Sequence, residues 1–237
     1  MNKRIVFLIL MVTFSISTVF SQEENNALKN TLELATGYTL GYLTNLAFAP
    51  VQRYEYNALN YQLKYTRITK KEKLFEVQLD YLNSELETNI IPEANPQYAK
   101  LVLNISTLKQ VYKNEKFKAH VGLQTQTNIA SYFDWRQYDV QQKLGVAGRF
   151  AYQINDNQSI SSKVVIPVIL WRTSTFEESF YSLNKYQSAL WVTEYKYSIS
   201  THFDLKAGYT FNYDRLQVFN AYRELQHQIN LGIHFKF

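Results

Sequence analysis

Polar and apolar residues alternate with a period of two along most of the chain beyond residue 30. Leu32, Leu34, Thr36, Tyr38 and Leu40 alternate with Glu33, Ala35, Gly37 and Thr39. The pattern returns at Tyr61–Leu63–Tyr65, Phe75–Val77–Leu79–Tyr81, Leu101–Leu103–Ile105–Thr107 and Phe117–Ala119–Val121–Leu123. It returns again at Leu144–Val146 and Phe150–Tyr152, at Trp191–Thr193–Tyr195–Tyr197–Ile199, at Phe203–Leu205–Ala207–Tyr209–Phe211–Tyr213, and at Ile229–Leu231–Ile233–Phe235–Phe237. Strict alternation of this kind predicts half-buried strands, not helices. With a less regular segment at 159–171, ten strands are expected. Short polar connections ("TKKEK", "KNEK", "NDNQ", "STHFD") alternate with longer ones at about 42–54, 85–98, 130–138, 172–188 and 214–226. Pro50, Pro92 and Pro96 fall in the longer set. No repeat or low-complexity linker interrupts the pattern, so residues 22–237 read as one domain.

Alternation does not say which face is inside; volume does. An eight-stranded barrel has a bore just wide enough for its side chains, and ten strands enclose little more. The apolar face carries several large residues per strand, too many for that bore. Turned outward, so large an apolar surface needs a hydrocarbon solvent. A closed antiparallel barrel is one of two folds that satisfies every backbone polar group in lipid. Glycine agrees: Gly37, Gly41, Gly122, Gly145, Gly208 and Gly232 lie on the polar face and only Gly148 on the other. A glycine inside a strand leaves room for bulky neighbours, which suits the concave wall of a narrow barrel. The prediction is an all-β, transmembrane, antiparallel up-and-down barrel of about ten strands.

Composition adds constraints. The 237 residues include 19 Tyr and 15 Phe but no Cys, which excludes disulfides, thiolate metal sites and a cysteine nucleophile. Lys plus Arg outnumbers Asp plus Glu by 25 to 20, too mild and scattered an excess to predict nucleic-acid binding. The first residues, "MNKRIVFLILMVTFSISTVFSQ", place Lys3 and Arg4 before an apolar run, with Val19 and Ser21 at the small-residue positions of a cleavage site. This predicts a secretory signal over residues 1–21.

Taken together, the chain resembles Gram-negative outer-membrane β-barrel proteins. Its last segment, "QINLGIHFKF", is similar to the C-terminal signal read by the barrel-assembly machinery, with Asn230, Gly232, Phe235 and the terminal Phe237 in the matching positions. The resemblance implies that the short turns and both termini are periplasmic and that the long loops face outside. It implies a periplasmic aromatic girdle of Tyr65, Phe75, Phe117, Tyr152, Tyr197, Phe203 and Phe237, and a second set at Tyr81, Trp171, Trp191 and Tyr213. Expected partners are outer-membrane lipid, the barrel-assembly machinery during biogenesis and an extracellular ligand or envelope protein at the loops; the default state is a monomer.

The polar face should line the lumen with Glu33, Lys64, Glu76, Asp80, Lys118, His120, Lys143, Arg149, Glu194, Lys196, Lys206, His234 and Lys236. Buried charges must be paired, so an ion-paired filling is expected ahead of a small, weakly anion-favouring pore. The segment "SSKVVIPVILWRT" is apolar on both faces. If Val165, Ile169 and Trp171 face out, then Val164, Ile166, Val168 and Leu170 form an inward apolar pocket; alternatively Pro167 marks a bulge. No metal-ligand spacing or phosphate-binding glycine loop is present, and no cofactor is expected. Small outer-membrane barrels also include lipid-A deacylases, phospholipases and omptin-like proteases. Of the four His residues only His227 falls near the outer rim, with Glu224 before it and Ser179 or Asp214 as distant partners; the His-x-Ser and Asp-x-His patterns of those enzymes are missing. The expected role is therefore a structural or interaction barrel or a small passive channel, with an outer-leaflet lipid-modifying enzyme as the alternative.

Overall fold

The computed structural model describes residues 30–47, 53–69, 71–90, 95–132, 137–174, 178–219 and 221–237. The expected signal segment and parts of all five long connections, Pro50 and Pro92 among them, lie outside them. Ten long strands form the wall: β1 (Asn30–Asn45), β2 (Tyr54–Ile68), β3 (Lys73–Glu85), β4 (Gln97–Lys113), β5 (Phe117–Tyr132), β6 (Gln137–Asn155), β7 (Gln158–Ser174), β9 (Tyr186–Ser198), β10 (Phe203–Leu216) and β11 (Tyr222–Lys236). A five-residue strand, β8 (Glu178–Ser182), pairs with β7 above the point where β9 leaves it. All pairings are antiparallel, neighbours in sequence are neighbours in the wall, and β1 pairs with β11 to close it. The described fold is thus a closed barrel of ten strands with one extra short strand.

The alternation fixes which way each side chain points. Along β1, Glu33, Ala35 and Thr39 are buried while Leu32, Leu34, Tyr38 and Leu40 are exposed. The outward band is apolar all the way round: Leu34 is 63% exposed, Leu59 60%, Leu123 57% and Ile229 66%. No aqueous monomer keeps such a surface. Strands of about 15 residues rise roughly 50 Å, enough at the usual barrel tilt to cross a hydrocarbon core. The wall therefore turns its apolar face to lipid and its polar face inward.

Two ends can be distinguished. At the turn end, β2–β3, β4–β5, β6–β7 and β9–β10 are joined by short connections. Glu72 takes φ 55° in the first of these, and its N–H donates to the Thr69 carbonyl at 2.9 Å. At the loop end lie the longer connections. Outward aromatics gather toward the turn end: Phe117 stacks on Phe150 (6.2 Å), and Phe235 lies 5.1 Å from Phe203 and 5.6 Å from Phe237 between ring centroids. Tyr65, Phe75, Tyr152 and Tyr197 lie on the same outward face near the same end.

Where the inner wall is tightest, glycine is required for space. A Cβ on Gly37 would sit 2.0 Å from the Ile229 carbonyl oxygen, and one on Gly122 2.0 Å from that of Thr107. A Cβ on Gly41 would enter the Tyr56 ring, which lies across the backbone there.

The irregular segment in β7 is a bulge. Leu144 pairs with Ile169 and Gly145 with Pro167, which leaves Val168 as the extra residue. Pro167, with no N–H to donate, is accommodated there. The extra residue reverses parity, and this corrects the expected pocket. On the turn side of the bulge Val164 (39% exposed) and Ile166 (52% exposed) face outward, whereas Val165 is buried. On the loop side Leu170 and Arg172 are buried, and Ile169 and Trp171 face out. Val164, Ile166, Val168 and Leu170 therefore do not share one inward pocket.

The outward band makes a direct prediction. Leu34→Arg or Leu231→Arg, near the middle of the wall, should cost about 2–4 kcal/mol of stability on folding into bilayers, read as a lowered urea midpoint. Asn83→Arg, outward at the rim, should change it by less than about 1 kcal/mol.

Candidate functional site: the barrel interior

The interior is filled from end to end by side chains in three zones. At the loop end, β1, β2, β3, β4, β5, β7, β9, β10 and β11 supply an aromatic and aliphatic cluster that includes Leu43, Tyr54, Tyr56, Tyr98, Tyr132, Leu170, Tyr186 and Tyr222. The tyrosine hydroxyls in this cluster are polar and need acceptors when buried. Glu224 takes three of them: Tyr56 and Tyr222 donate to it at 2.7 Å and Tyr98 at 3.2 Å. Lys100 Nζ completes the set at 2.5 Å from Glu224 Oε2. Asp214 is held in the same way by Lys143 (2.7 Å) and Tyr186 (2.7 Å). Asp139 accepts a fork from Arg172, with Nη2 at 2.6 Å and Nε at 3.0 Å from Oδ2, while Asn45 bonds both members. These carboxylates and cations are essentially removed from solvent. Burial without partners would cost each several kcal/mol; paired and hydrogen-bonded, they are tolerated.

The middle zone is a belt of amides and small acids. Asn60 donates to Asn230 at 2.7 Å, Gln62 to Asp80 at 2.7 Å, and Gln124 to Asn104 at 3.1 Å. A cavity of about 50 Å³ remains between Asn60, Asp80 and Gln124 of the belt and Lys64, Glu76 and Arg149 on its turn side. That is room for a few waters.

Toward the turn end the charges form one network. Glu76 meets Arg149 and Lys163, each at 2.6 Å, and Lys64 at 3.7 Å. Glu194 meets Lys64 and Lys206, each at 2.9 Å, and Arg149 at 3.6 Å. Lys206 also bonds Glu33. Nearest the turns, Asp204 accepts from Lys236 at 2.6 Å and lies 2.9 Å from His234 Nδ1, and His234 Nε2 is 3.2 Å from Lys196. Beside this network Leu74, Leu108, Ala147, Val165 and Leu190 form a small inward apolar cluster.

Of the interior residues expected from the alternation, the structure places Glu33, Lys64, Glu76, Asp80, Lys143, Arg149, Glu194, Lys196, Lys206, His234 and Lys236 in these clusters. His120 is half-buried opposite Arg149. Lys118 is different: it is exposed at the turn end and takes no part in the filling. Lys100, Asp139, Arg172, Asp214 and Glu224 were missed because they lie where strands were expected to have given way to loops. The signal was present, since Glu224, Gln226, Gln228 and Asn230 continue the inward parity without a break. Adding these residues, with Lys163 and Asp204, brings four acids against three bases, so they contribute no further positive charge.

His227 occupies the outer surface. Its Nδ1 is 2.8 Å from the Tyr209 hydroxyl, which is also outward. Asp214 and Glu224 are inside the wall, so the strand separates them from His227 and the three cannot share one reaction site. Among the described residues no group of three or more His, Asp or Glu could hold a metal ion. In the terminal segment Asn230 is buried and bonded to Asn60, Gly232 packs against Ala35, and Phe235 and Phe237 stack outside.

This geometry, a closed antiparallel barrel with an apolar outer band and a charged interior, defines the outer-membrane β-barrel fold. Solved structures with the same fold include the outer membrane protease OmpT from Escherichia coli, 8% identical, with a TM-score of 0.59 over 92% of this chain and 99% of that one. An outer membrane channel from Pseudomonas putida F1 is 9% identical, with a TM-score of 0.50 over 90% of this chain and 97% of that one. No family model matches the chain, and no curated protein does.

The loop-end pairs can be tested by double-mutant cycles. Lys100→Met should destabilise the barrel by about 3–5 kcal/mol, because Glu224 is left charged and buried. Adding Glu224→Gln should recover much of that loss, as measured by thermal or urea unfolding in detergent.

Proposed function

We propose that this protein is an integral outer-membrane barrel whose interior is a structural plug, so that its work is done by its surfaces and loops and not by conduction. The observation that carries this reading is the filled interior: two ion-paired zones flank an amide belt, and the cavity left between the belt and the turn-side charges is about 50 Å³. Buried ion pairs contribute little net stability compared with apolar packing. Their value here is specificity: each cation has a partner on another strand, such as Lys100 with Glu224 or Lys64 with Glu194, and the pairs disfavour any slipped register.

The location follows from the fold of the neighbours, the outward band and the expected N-terminal signal. In this reading the short turns and both termini are periplasmic, the Asn230–Gly232–Phe235–Phe237 segment is what the assembly machinery grips, and the longer loops face the exterior, where they would meet an external ligand or envelope protein. The turn-end aromatics then form the inner girdle.

Planar-bilayer recording of the purified, refolded chain is the test. The expected trace shows no stepwise conductance in symmetric salt. Regular openings that disappear when Lys64 and Lys206 are both changed to Met would replace the plug with a small pore. In a parallel assay, His227→Ala should leave the lipid A and phospholipid profiles of the expressing cells unchanged. A loss of lipid modification on that substitution would establish an enzyme instead.

A further inference from the structure

The outward face of β10, β11 and β1 at the loop end departs from the rest of the apolar band. Arg215 on β10 and Arg223 on β11 are directly opposite each other, and both are exposed. Like charges so placed on one face of a sheet are destabilising. Among the described residues neither forms an ion pair with a carboxylate. The amide of Gln217, with its oxygen turned toward Arg215, accepts from that guanidinium at 2.5 Å, but it brings no charge. On the other side of Arg223 stands Thr44, and beyond it Arg53 lies over the Tyr42 ring at 4.2 Å and pairs with Glu55.

A second feature lies on the same face, deeper in the wall. His227 is four residues along β11 from Arg223, about 13 Å at the rise of a strand and roughly 10 Å in depth once tilt is allowed for. It bonds the Tyr209 hydroxyl through Nδ1. Whichever of the two donates, one ring nitrogen is left with no protein partner among the described residues. Trp191 packs edge-on to Tyr209 with 6.1 Å between centroids, and its Nε1 donates to Ser162 at 2.8 Å. Leu40 stands directly beside His227 and Ile229 beside Tyr209, and Leu231 lies one step deeper; all three are exposed. From the rim inward the face therefore presents positive charge and then, past Leu225 and Tyr213, hydrogen-bonding groups set among aliphatic side chains.

We propose that this face is a binding site for a phosphorylated lipid of the leaflet that meets the loop end. The phosphate lies between Arg215 and Arg223, the acyl linkage reaches His227 and Tyr209, and the chains lie on Leu40 and Ile229. The guanidinium fork matches phosphate oxygens, and a bound phosphate removes the repulsion that the pair otherwise carries. A free phosphate could meet the arginines but not the deeper strip, so the site belongs to a lipid. The proposal rests on the outward band being in lipid.

Trp191 supplies the readout. With Trp135→Phe and Trp171→Phe, it is the sole tryptophan of the chain. The refolded protein is placed in phosphatidylcholine vesicles in which either a phosphatidylglycerol or a phosphatidylcholine component carries brominated chains. Quenching should show the anionic lipid enriched beside Trp191 by on the order of tenfold over its mole fraction, with the zwitterionic lipid near parity. Arg215→Gln/Arg223→Gln should return the anionic lipid to parity, while Arg67→Gln/Lys109→Gln, at the turn end, should leave the enrichment intact. Millimolar inorganic phosphate should not change it. Equal quenching by the two lipids in the unmodified arginine background would overturn the site while leaving the outward band in lipid. Loss of the enrichment on adding inorganic phosphate would overturn the lipid assignment. Absence of quenching by either brominated lipid would overturn the lipid-facing reading itself. The heat-dependent shift in gel mobility of the folded barrel, checked for each variant, separates loss of binding from loss of fold.

Discussion

Closure of β1 against β11 is the constraint from which the rest of the structure follows. In hydrocarbon an unpaired N–H or C=O costs several kcal/mol, and a sheet escapes that only by having no edge. The register runs without a break from Thr31–Lys236 to Asn45–Tyr222. Once it is set, every side chain on both strands is assigned to a face, because a slip of one residue would turn the whole set over. Leu34 and Ile233 then lie in lipid, and Glu33 and His234 lie inside. The charges of the interior are a consequence of a wall whose apolar half is already committed outward.

That commitment explains the character of the interior. A narrow bore lined by Glu, Lys and Arg cannot stay hydrated along its length when opposite walls are within reach of a lysine. The cations therefore find carboxylates on other strands, as Lys206 and Lys64 both do at Glu194. Nearer the loops the same requirement is met with tyrosine, whose hydroxyls share Glu224 and Asp214 with single lysines. Tyrosine fills volume and still satisfies an acceptor, so it closes the end that a lysine–glutamate pair alone would leave loose. Gly41 is part of that closure, since the Tyr56 ring occupies the space its side chain would take.

Much of this was legible in the chain, and the exceptions have definite causes. The strand faces, the order of short and long connections and most interior residues could be read from parity, because a barrel wall obeys parity more strictly than any other constraint. Two kinds of error remained. Pro167 signalled a missing ladder bond but not where the extra residue would fall. Parity carried down from Ile169 and Trp171 turned Val164 and Ile166 inward, whereas the bulge at Val168 turns them out. The second error lay at strand ends. Arg172, Asp214 and Glu224 sit among aromatic and polar residues that read as loop, yet the strands continue through them, and the ion pairs they form with residues far away in sequence leave no local trace. Lys118 shows the converse: it keeps inward parity but, at the turn end, it is exposed rather than part of the filling.

The placement of arginine supports a division of labour between the two faces. Inside, Arg149 and Arg172 are neutralised by carboxylates that the fold brings to them. Outside, Arg215 and Arg223 face each other with only a neutral amide in attendance. At this point of the rim the guanidinium pair is left open to an anion that the environment can supply, whereas Arg53 on the same face is paired with Glu55. A wall that invests its interior in closure has its outer rim and loops left for recognition. The polar strip from Ser162 through Trp191 and Tyr209 to His227 interrupts an outer surface that is otherwise mostly apolar.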